Sequence, residues 1–185
     1  MGNTVILDEH NLEDGTTRAH IFRYLMSRGI VEPADTVVDA ACGCGTGSAI
    51  LARQCKKVIG IDIEQDNIDH AIRDHMKEGD IEFIKGDLEN MALPECDVII
   101  SIETIEHLND PGKFVAEMQD KARRVIFVTV PIGATMHADP THKSDFTENT
   151  FRNLFKDPNW MEYHSFYQGN HLAIIFRRKL ETISD

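Results

Sequence analysis

The sequence lacks the long apolar run that a membrane-spanning helix requires. No uninterrupted apolar stretch approaches the ~20 residues that cross a bilayer. The first ten residues, MGNTVILDEH, contain no charged segment followed by an apolar one, so they show no signal peptide. We therefore expect no membrane partner and a cytoplasmic location.

Cysteine is also scarce. The 185 residues include four cysteines, and no two of them are spaced as C-x-x-C. This pattern argues against a zinc ribbon or a thioredoxin-like motif, and four cysteines are too few for a disulfide scaffold. A reducing cytosol is the simplest compartment for such a chain.

Positive charge is in short supply. Lys and Arg number 19 against 31 Asp and Glu, which gives a formal net charge of −12. A protein that holds DNA or RNA mainly by neutralising phosphates needs a basic surface. The balance therefore disfavours a nucleic acid partner and favours a small-molecule acceptor, although a local basic patch or a metal-assisted contact stays open. The oligomeric state stays open as well.

Apolar residues make up 42% of the chain, and there is no internal repeat, low-complexity tract or linker. This is ordinary globular composition, so residues 1–185 are predicted to form a single domain. Short apolar runs alternate with helical periodicity, and Gly169-Asn170 marks a hairpin near the end of the chain. We predict an α/β, Rossmann-like, doubly wound fold. Its seven-stranded, mostly parallel sheet would end in an antiparallel hairpin, with strands at 36–40, 58–63, 81–84, 97–102, 124–130, 161–168 and 171–178.

A helix should precede the first strand. Thr16 or Thr17 can cap it, and Gly29 can end it. Four apolar residues share one face of this helix, namely Ile21, Phe22, Leu25 and Met26. In a parallel sheet the ligand lies beyond the carboxyl ends of the strands, so the residues that follow each strand are the ones to examine for chemistry.

A glycine-rich loop follows the first predicted strand. Its spacing is Gly43-x-Gly45-x-Gly47, which departs from the G-x-G-x-x-G of dinucleotide-binding proteins. The strand also ends in an acid, Asp39. A carboxylate is a poor neighbour for a pyrophosphate and a good one for an ammonium or sulfonium group.

Two more acids end the next two predicted strands. Asp62 ends the second strand, where a carboxylate can accept hydrogen bonds from both hydroxyls of a ribose. Asp87 follows the third strand and could accept a hydrogen bond from the exocyclic amine of an adenine. Three acids at successive strand ends therefore predict a nucleoside-containing ligand with a positive charge.

With these features, the chain resembles the class I S-adenosylmethionine-dependent methyltransferases. Four segments carry the resemblance, in order and at the expected spacing: VVDAACGCGTGSAILA (37–52), VIGIDI (58–63), IKGDLENMAL (84–93) and VIISIETIEHLNDPGKFVAEM (98–118). The pattern His20-x-x-Arg23-Tyr24 and the segment HKSDFT (142–147) are similar to the small-molecule, type 11-like branch, which is often linked to sugar and polysaccharide biosynthesis.

The resemblance implies S-adenosyl-L-methionine as cofactor. Its amino acid part would lie on the glycine loop near Asp39, its ribose on Asp62 and its adenine beside Asp87 and Leu88. The full implied set is Asp39, Ala41, Gly43, Gly45, Asp62, Ile63, Asp87, Leu88 and Ser101. The chain departs from the family at Ala41, where many members have glycine, and in a shortened loop before the fifth strand.

Methyl transfer to a hydroxyl needs a base. His107 follows the fourth strand and is the first candidate, since the usual histidine pKa of about 6.5 suits neutral pH. His142, after the fifth strand, is the second, and Glu103 could orient either a histidine or an acceptor hydroxyl. The alternative for His107 is a structural role at the start of a helix.

Glu103-x-x-Glu106-His107, taken with His142, also resembles the metal-binding set of small-RNA 2′-O-methyltransferases and of some quinone-pathway O-methyltransferases. Two carboxylates and two imidazoles could bind Mg²⁺, Mn²⁺ or Zn²⁺. The same pattern is found in metal-free relatives, so no metal ligand is assigned from the sequence.

Three functions follow from these patterns. The first is methyl transfer from S-adenosylmethionine to a hydroxyl or amine of a small metabolite, such as a sugar or sugar conjugate. The second is metal-assisted RNA 2′-O-methylation, and the third is a non-catalytic cofactor-binding subunit that supports a partner. The RNA function requires a basic channel formed by residues such as Arg123, Arg124, Lys143, Arg152, Arg177, Arg178 and Lys179.

Overall fold

The computed structural model describes residues 15–180. The predictions about the first ten residues therefore lie outside the described part. Helices and strands alternate along most of the chain: α1 Gly15–Arg28, β1 Thr36–Ala40, α2 Thr46–Ala52, β2 Lys57–Asp62, α3 Gln65–His75, β3 Ile81–Lys85, β4 Cys96–Ile102, α4 Pro111–Lys121, β5 Ala122–Pro131, α5 Glu148–Arg152, β6 Trp160–Gln168 and β7 His171–Arg178.

The seven strands form one sheet in the order β3-β2-β1-β4-β5-β7-β6. Strands β1 to β5 are parallel, β7 runs antiparallel to β5, and β6 runs antiparallel to β7. Gly169 turns the last hairpin with a φ of 62°, a conformation that glycine adopts without strain. The predicted Rossmann-like α/β fold with a closing antiparallel hairpin is confirmed.

The central strands are buried on both faces of the sheet. Along β4, Val98, Ile99 and Ile100 have no exposed surface, and their side chains alternate between two apolar layers. Near-continuous apolar strands are what a covered parallel sheet requires. A rigid sheet of this kind fixes the positions of the loops at its carboxyl edge.

Helix α4 joins β5 directly. Asp110 caps the helix by accepting a hydrogen bond from the backbone N–H of Lys113, and Pro111 occupies the first turn. The helix ends at Lys121 and the strand begins at Ala122. The shortening of the loop before the fifth strand is therefore confirmed.

The N-terminal helix α1 presents an unexpected face to the sheet. Phe22, Leu25 and Met26 are more than 40% exposed, while Arg23 and Tyr24 are buried. The helix thus turns polar side chains inward, and Tyr24 lines the cavity described below. Among the residues that the structure describes, no helix is long and apolar enough to cross a membrane.

Candidate active site

A cavity of about 880 Å³ opens at the carboxyl edge of the parallel strands. The loops after β1, β2, β3 and β4 form one side, and residues 135–143 with the start of β7 form the other. Helix α1 contributes Thr16, His20 and Tyr24. The cavity lies where ligands bind in open α/β sheets.

The loop after β1 owes its shape to residues in left-handed conformations. Ala41, Gly43 and Gly45 have φ values of 65°, 54° and 84°. A Cβ atom on Gly45 would lie 2.7 Å from the Cβ of Ala71, so only glycine fits there. Ala41 adopts a conformation that favours glycine, which is the residue that many members of the resembling family carry at this position.

Asp39 lies beneath this loop and has no exposed surface. Its carboxylate accepts hydrogen bonds from the Tyr24 hydroxyl at 3.0 Å and from the Ser48 hydroxyl at 2.6 Å. Burial raises the pKa of Asp39 to about 6, although both hydrogen bonds oppose the shift. Asp39 therefore ties α1 and α2 to the glycine loop and is separated from the cavity.

Asp62 faces the cavity at the end of β2 and already accepts three hydrogen bonds. Its Oδ1 accepts from the Glu64 backbone N–H at 2.9 Å and from the Asn67 amide at 3.0 Å. Its Oδ2 accepts from the Gly43 backbone N–H at 2.9 Å. Since each carboxylate oxygen has two lone pairs, Oδ2 keeps one unused acceptor position.

Asp87 likewise accepts hydrogen bonds within its own loop, the loop after β3. Its carboxylate accepts hydrogen bonds from the Glu89 backbone N–H at 2.9 Å and from the Asn90 amide at 2.6 Å. Leu88 beside it is buried and lines the cavity, and Ile63 lines it from the loop after β2 with 56% of its surface exposed. These residues form a cavity end with acidic acceptors and apolar walls.

Glu103 follows β4 and has a left-handed φ of 52°. Its Oε1 accepts from the Thr129 hydroxyl at 2.8 Å, and its Oε2 lies 2.9 Å from Nε2 of His171. Burial acts to raise the pKa of Glu103, but the His171 hydrogen bond and the Arg23 charge outweigh it, so the net shift is downward. Glu103 is therefore ionised and turned towards β5 and β7.

Glu106, His107 and His142 form a second cluster. One ligand atom from each lies within 4.8 Å of the others, and the two imidazole rings meet edge to face with centroids 4.7 Å apart. The backbone carbonyl of Glu106 accepts hydrogen bonds from the N–H groups of Lys143 and Ser144, which fixes the returning loop against the turn after β4.

The carboxylate of Glu106 is an orphan within the described residues. The residue is 1% exposed, and neither carboxylate oxygen has a hydrogen-bond partner. Burial and the nearby Glu103 raise the pKa of Glu106 well above its usual range. Burial together with His142 also lowers the pKa of His107, although the Thr141 carbonyl opposes this. A bound cation would pair with the buried carboxylate of Glu106 and would favour the neutral form of the His107 and His142 imidazoles.

Comparisons with known proteins find methyltransferases. A family model described as a methyltransferase domain matches residues 38–124. A probable S-adenosylmethionine-dependent methyltransferase of Mycolicibacterium smegmatis is 35% identical over 83 residues, which are 44% of this chain and 31% of that protein. The mitochondrial ubiquinone biosynthesis O-methyltransferase of Schizosaccharomyces pombe is 29% identical over 102 residues, 51% of this chain and 37% of that protein.

The comparison of folds also finds a methyltransferase, and the match covers more of the chain. The crystal structure of the N-methyltransferase NodS from Bradyrhizobium japonicum, in complex with S-adenosyl-L-homocysteine, superposes with a TM-score of 0.77. The match covers 94% of this chain and 93% of that chain at 16% identity, so it shows the fold alone. Together, the family match, the curated relatives and the fold support a class I S-adenosylmethionine-dependent methyltransferase.

The chain spans about a third to a half of the length of the first curated relatives that it matches. RNA methyltransferases also occur among the relatives. The family uses S-adenosyl-L-methionine, and the residues present fit this cofactor. Gly43 lines the cavity and leaves open space where a Cβ would stand, and Asp62 keeps a free acceptor position beside it.

The cavity brings together most of the residues that the sequence singles out: Ala41, Gly43, Asp62, Ile63, Asp87, Leu88, Glu103, His107 and His142. Three others, Asp39, Gly45 and Ser101, are buried beneath it, and the hydroxyl of Ser101 has no hydrogen-bond partner. Of the four residues that resemble a metal set, Glu103 stands apart from the cluster and pairs with His171 instead.

Sequence reasoning missed His171. It begins β7 directly after the Gly169-Asn170 turn, which the sequence does indicate. Because β7 runs antiparallel to β5, the turn lies at the carboxyl edge of the parallel strands. The signal for His171 in the sequence is therefore its place directly after the turn of a hairpin that pairs with β5.

Proposed function

We propose that this chain transfers the methyl group of S-adenosyl-L-methionine to a hydroxyl or amine of a small-molecule acceptor, such as a sugar or a sugar conjugate. The observation that carries the proposal is a single cavity with two chemically different ends. One end has the glycine loop, Asp62 and Asp87, and the other has Glu103 and three histidines, His107, His142 and His171. A cofactor and an acceptor could meet between them.

The bound cofactor would supply a methyl group on a sulfonium, which is already activated for displacement. The chain must therefore hold the acceptor atom close to that methyl group and exclude competing water. Asp62 and the glycine loop would hold the cofactor end. The imidazoles and Glu103 would orient the acceptor and receive its proton.

The charges in the cavity support a neutral or cationic acceptor. Among the described residues, Glu103 and Asp139 line the acceptor end as acids with lowered pKa values, against one lysine, Lys143. Phosphate groups would meet like charge there. The acidic lining therefore supports a small acceptor without phosphates over an RNA chain.

The basic channel that the RNA function requires finds no support among residues 15–180. Of its seven candidate residues, Lys143 lines the cavity and the others do not. Three of the arginines pair with acids elsewhere, Arg123 with Asp97, Arg124 with Asp35 and Arg152 with Glu162. Arg177 and Arg178 stack on aromatic rings at the far end of the hairpin.

A second candidate is the same transfer assisted by a divalent metal ion. The orphaned carboxylate of Glu106 beside His107 and His142 favours it. A metal held by these three residues could lower the pKa of an acceptor hydroxyl and orient it. This chemistry would suit a small molecule as well as the 2′-hydroxyl of an RNA.

Transfer of label tests these functions together. The purified chain is incubated with methyl-labelled S-adenosylmethionine and fractionated cell extract, with and without EDTA. We expect label in the small-molecule fraction. Label found in RNA and lost with EDTA would instead support metal-assisted RNA methylation, and full turnover in excess EDTA would exclude the metal. No label despite tight binding of S-adenosylhomocysteine would favour the non-catalytic subunit.

Two further expectations stay proposals. We propose that residues 1–185 form one domain, because the strands from 36 to 178 belong to a single sheet. We also propose a reducing cytoplasm as the compartment, since Cys42, Cys44, Cys55 and Cys96 are all free thiols.

A further inference from the structure

We propose that His171, held by Glu103, is the catalytic residue that removes the proton of an acceptor hydroxyl, which makes the chain an O-methyltransferase. The inference rests on the proposed function and deepens it, because it names the acceptor atom. It concerns a residue that neither the sequence pattern nor the matched family region, residues 38–124, includes.

Three neighbouring strands position Glu103 and His171 next to each other. Glu103 follows β4, Thr129 lies in β5 and His171 begins β7, and these strands are adjacent in the sheet. His171 is paired in register with Pro131 at the carboxyl end of β5. Its backbone is therefore fixed by the sheet, and its side chain is 29% exposed on the cavity.

The direction of the hydrogen bond between His171 and Glu103 favours His171 as a base. Glu103 is ionised, and its Oε2 lies 2.9 Å from Nε2 of His171. A carboxylate there requires the proton of the neutral imidazole to be on Nε2, since only an N–H can donate to it. The lone pair is then on Nδ1. Among the described residues, no hydrogen bond involves Nδ1 of His171, so this atom is available to a ligand.

Two other histidines of the cavity, His107 and His142, have hydrogen-bond partners at Nδ1. Nδ1 of His107 lies 3.1 Å from the Thr141 hydroxyl, and Nδ1 of His142 lies 2.8 Å from the Thr135 hydroxyl. Both are candidates for the metal cluster with Glu106. Unlike these two, His171 combines a carboxylate partner on Nε2 with an Nδ1 that has no hydrogen bond among the described residues.

The methyl transfer then takes place in a single displacement. The acceptor oxygen forms a bond to the methyl carbon, the carbon–sulfur bond breaks with its electron pair left on sulfur, and the hydroxyl proton passes to Nδ1 of His171. The imidazolium is stabilised by Glu103 and later loses the proton to water. A neutral amine acceptor would not need this base before attack, which is why the pair indicates a hydroxyl.

Three variants test the role of His171. His171→Ala should lower the rate of label transfer by about 100-fold or more, the usual contribution of a general base. Imidazole added to the buffer should raise the rate of that variant, because the small base can enter the vacated space. Glu103→Gln should lower the rate as well. His164→Ala is the matched control, since His164 is an exposed histidine outside the cavity, and it should keep the wild-type rate.

A second readout does not depend on activity. Long-range ¹H–¹⁵N spectra of the labelled protein should show neutral His171 with its proton on Nε2, and Glu103→Gln should weaken this preference. A proton on Nδ1 in the wild type would overturn the inference whatever the transfer assay gives. A wild type that labels no fraction would contradict the proposed function, and the spectra would still decide how the pair is polarised.

The remaining outcomes decide the catalytic role. Unchanged transfer by His171→Ala would overturn it while leaving the proposed function intact. Loss of activity without rescue by imidazole, accompanied by weaker S-adenosylhomocysteine binding, would show a structural role. A labelled product with its methyl group on nitrogen would also overturn the inference.

Discussion

Replacing Asp62 with alanine separates what this carboxylate does for the cofactor from what it does for the fold. In the structure the side chain accepts hydrogen bonds from Gly43, Glu64 and Asn67, and it keeps one acceptor position at Oδ2 towards the cavity. Asp62→Ala therefore removes a ligand contact and three internal contacts at once. The two effects can be measured separately.

The loss in ligand affinity follows from one charge-assisted hydrogen bond. Such a bond contributes ~1.5–3 kcal/mol, so the dissociation constant of S-adenosylhomocysteine should rise about 10- to 100-fold. The three internal donors line or adjoin the cavity, where water can replace the lost acceptor. We therefore expect the free energy of unfolding without ligand to fall by only about 1–3 kcal/mol in total.

Calorimetric titration with S-adenosylhomocysteine measures the first effect, and denaturant unfolding without ligand measures the second. Asp66→Ala is the matched control, because Asp66 is an exposed acid in the first turn of α3 and should bind the ligand as the wild type does. Unchanged affinity in Asp62→Ala, with the control also unchanged, would refute the assignment of the ribose to Asp62.

Three further predictions address the surroundings of the cavity. The pKa of Asp39 is raised from 3.8 to about 6, so the folded state binds its proton more tightly than the unfolded state does, and the resulting stability is present below pH 4 and lost as the pH rises through 6. Asp39→Asn cannot undergo this loss, so the free energy of unfolding of the variant relative to the wild type should rise by roughly 3 kcal/mol from pH 4 to pH 7. Parallel pH profiles of variant and wild type in denaturant unfolding would contradict the shift. Gly47→Ala would place a Cβ 2.0 Å from the Tyr24 ring and should destabilise the fold by at least ~1–3 kcal/mol in thermal unfolding, whereas Gly112→Ala, with 3.5 Å to its nearest neighbour, should not. Glu106→Gln should weaken the binding of Mn²⁺ or Zn²⁺ at least ~10-fold, because the loss of a residue that only supports a metal ligand already has an effect of that size. Equal affinity of variant and wild type in calorimetric titration would show that Glu106 is not a metal ligand.

The parts of the site that the sequence predicts are those encoded locally. Asp62 and Asp87 were found because each directly follows an apolar run, and the ends of parallel strands meet at one edge of a sheet. The left-handed loop was indicated by glycines at alternate positions. In each case a few neighbouring residues determine both the strand end and the chemistry that follows it.

The parts that the sequence could not predict depend on contacts between distant segments. Tyr24 is buried and its hydroxyl donates to Asp39, while Phe22, Leu25 and Met26 on the other face of α1 are exposed. Glu103 pairs with His171 rather than joining Glu106, because β7 inserts beside β5 and brings the histidine to the same edge. No local pattern specifies either pairing.

The most direct test of the account is the transfer of label from methyl-labelled S-adenosylmethionine by the purified wild-type chain to the small-molecule fraction of a cell extract. We expect a labelled small molecule whose methyl group is on oxygen. Label confined to RNA, or none in any fraction although S-adenosylhomocysteine binds, would contradict it.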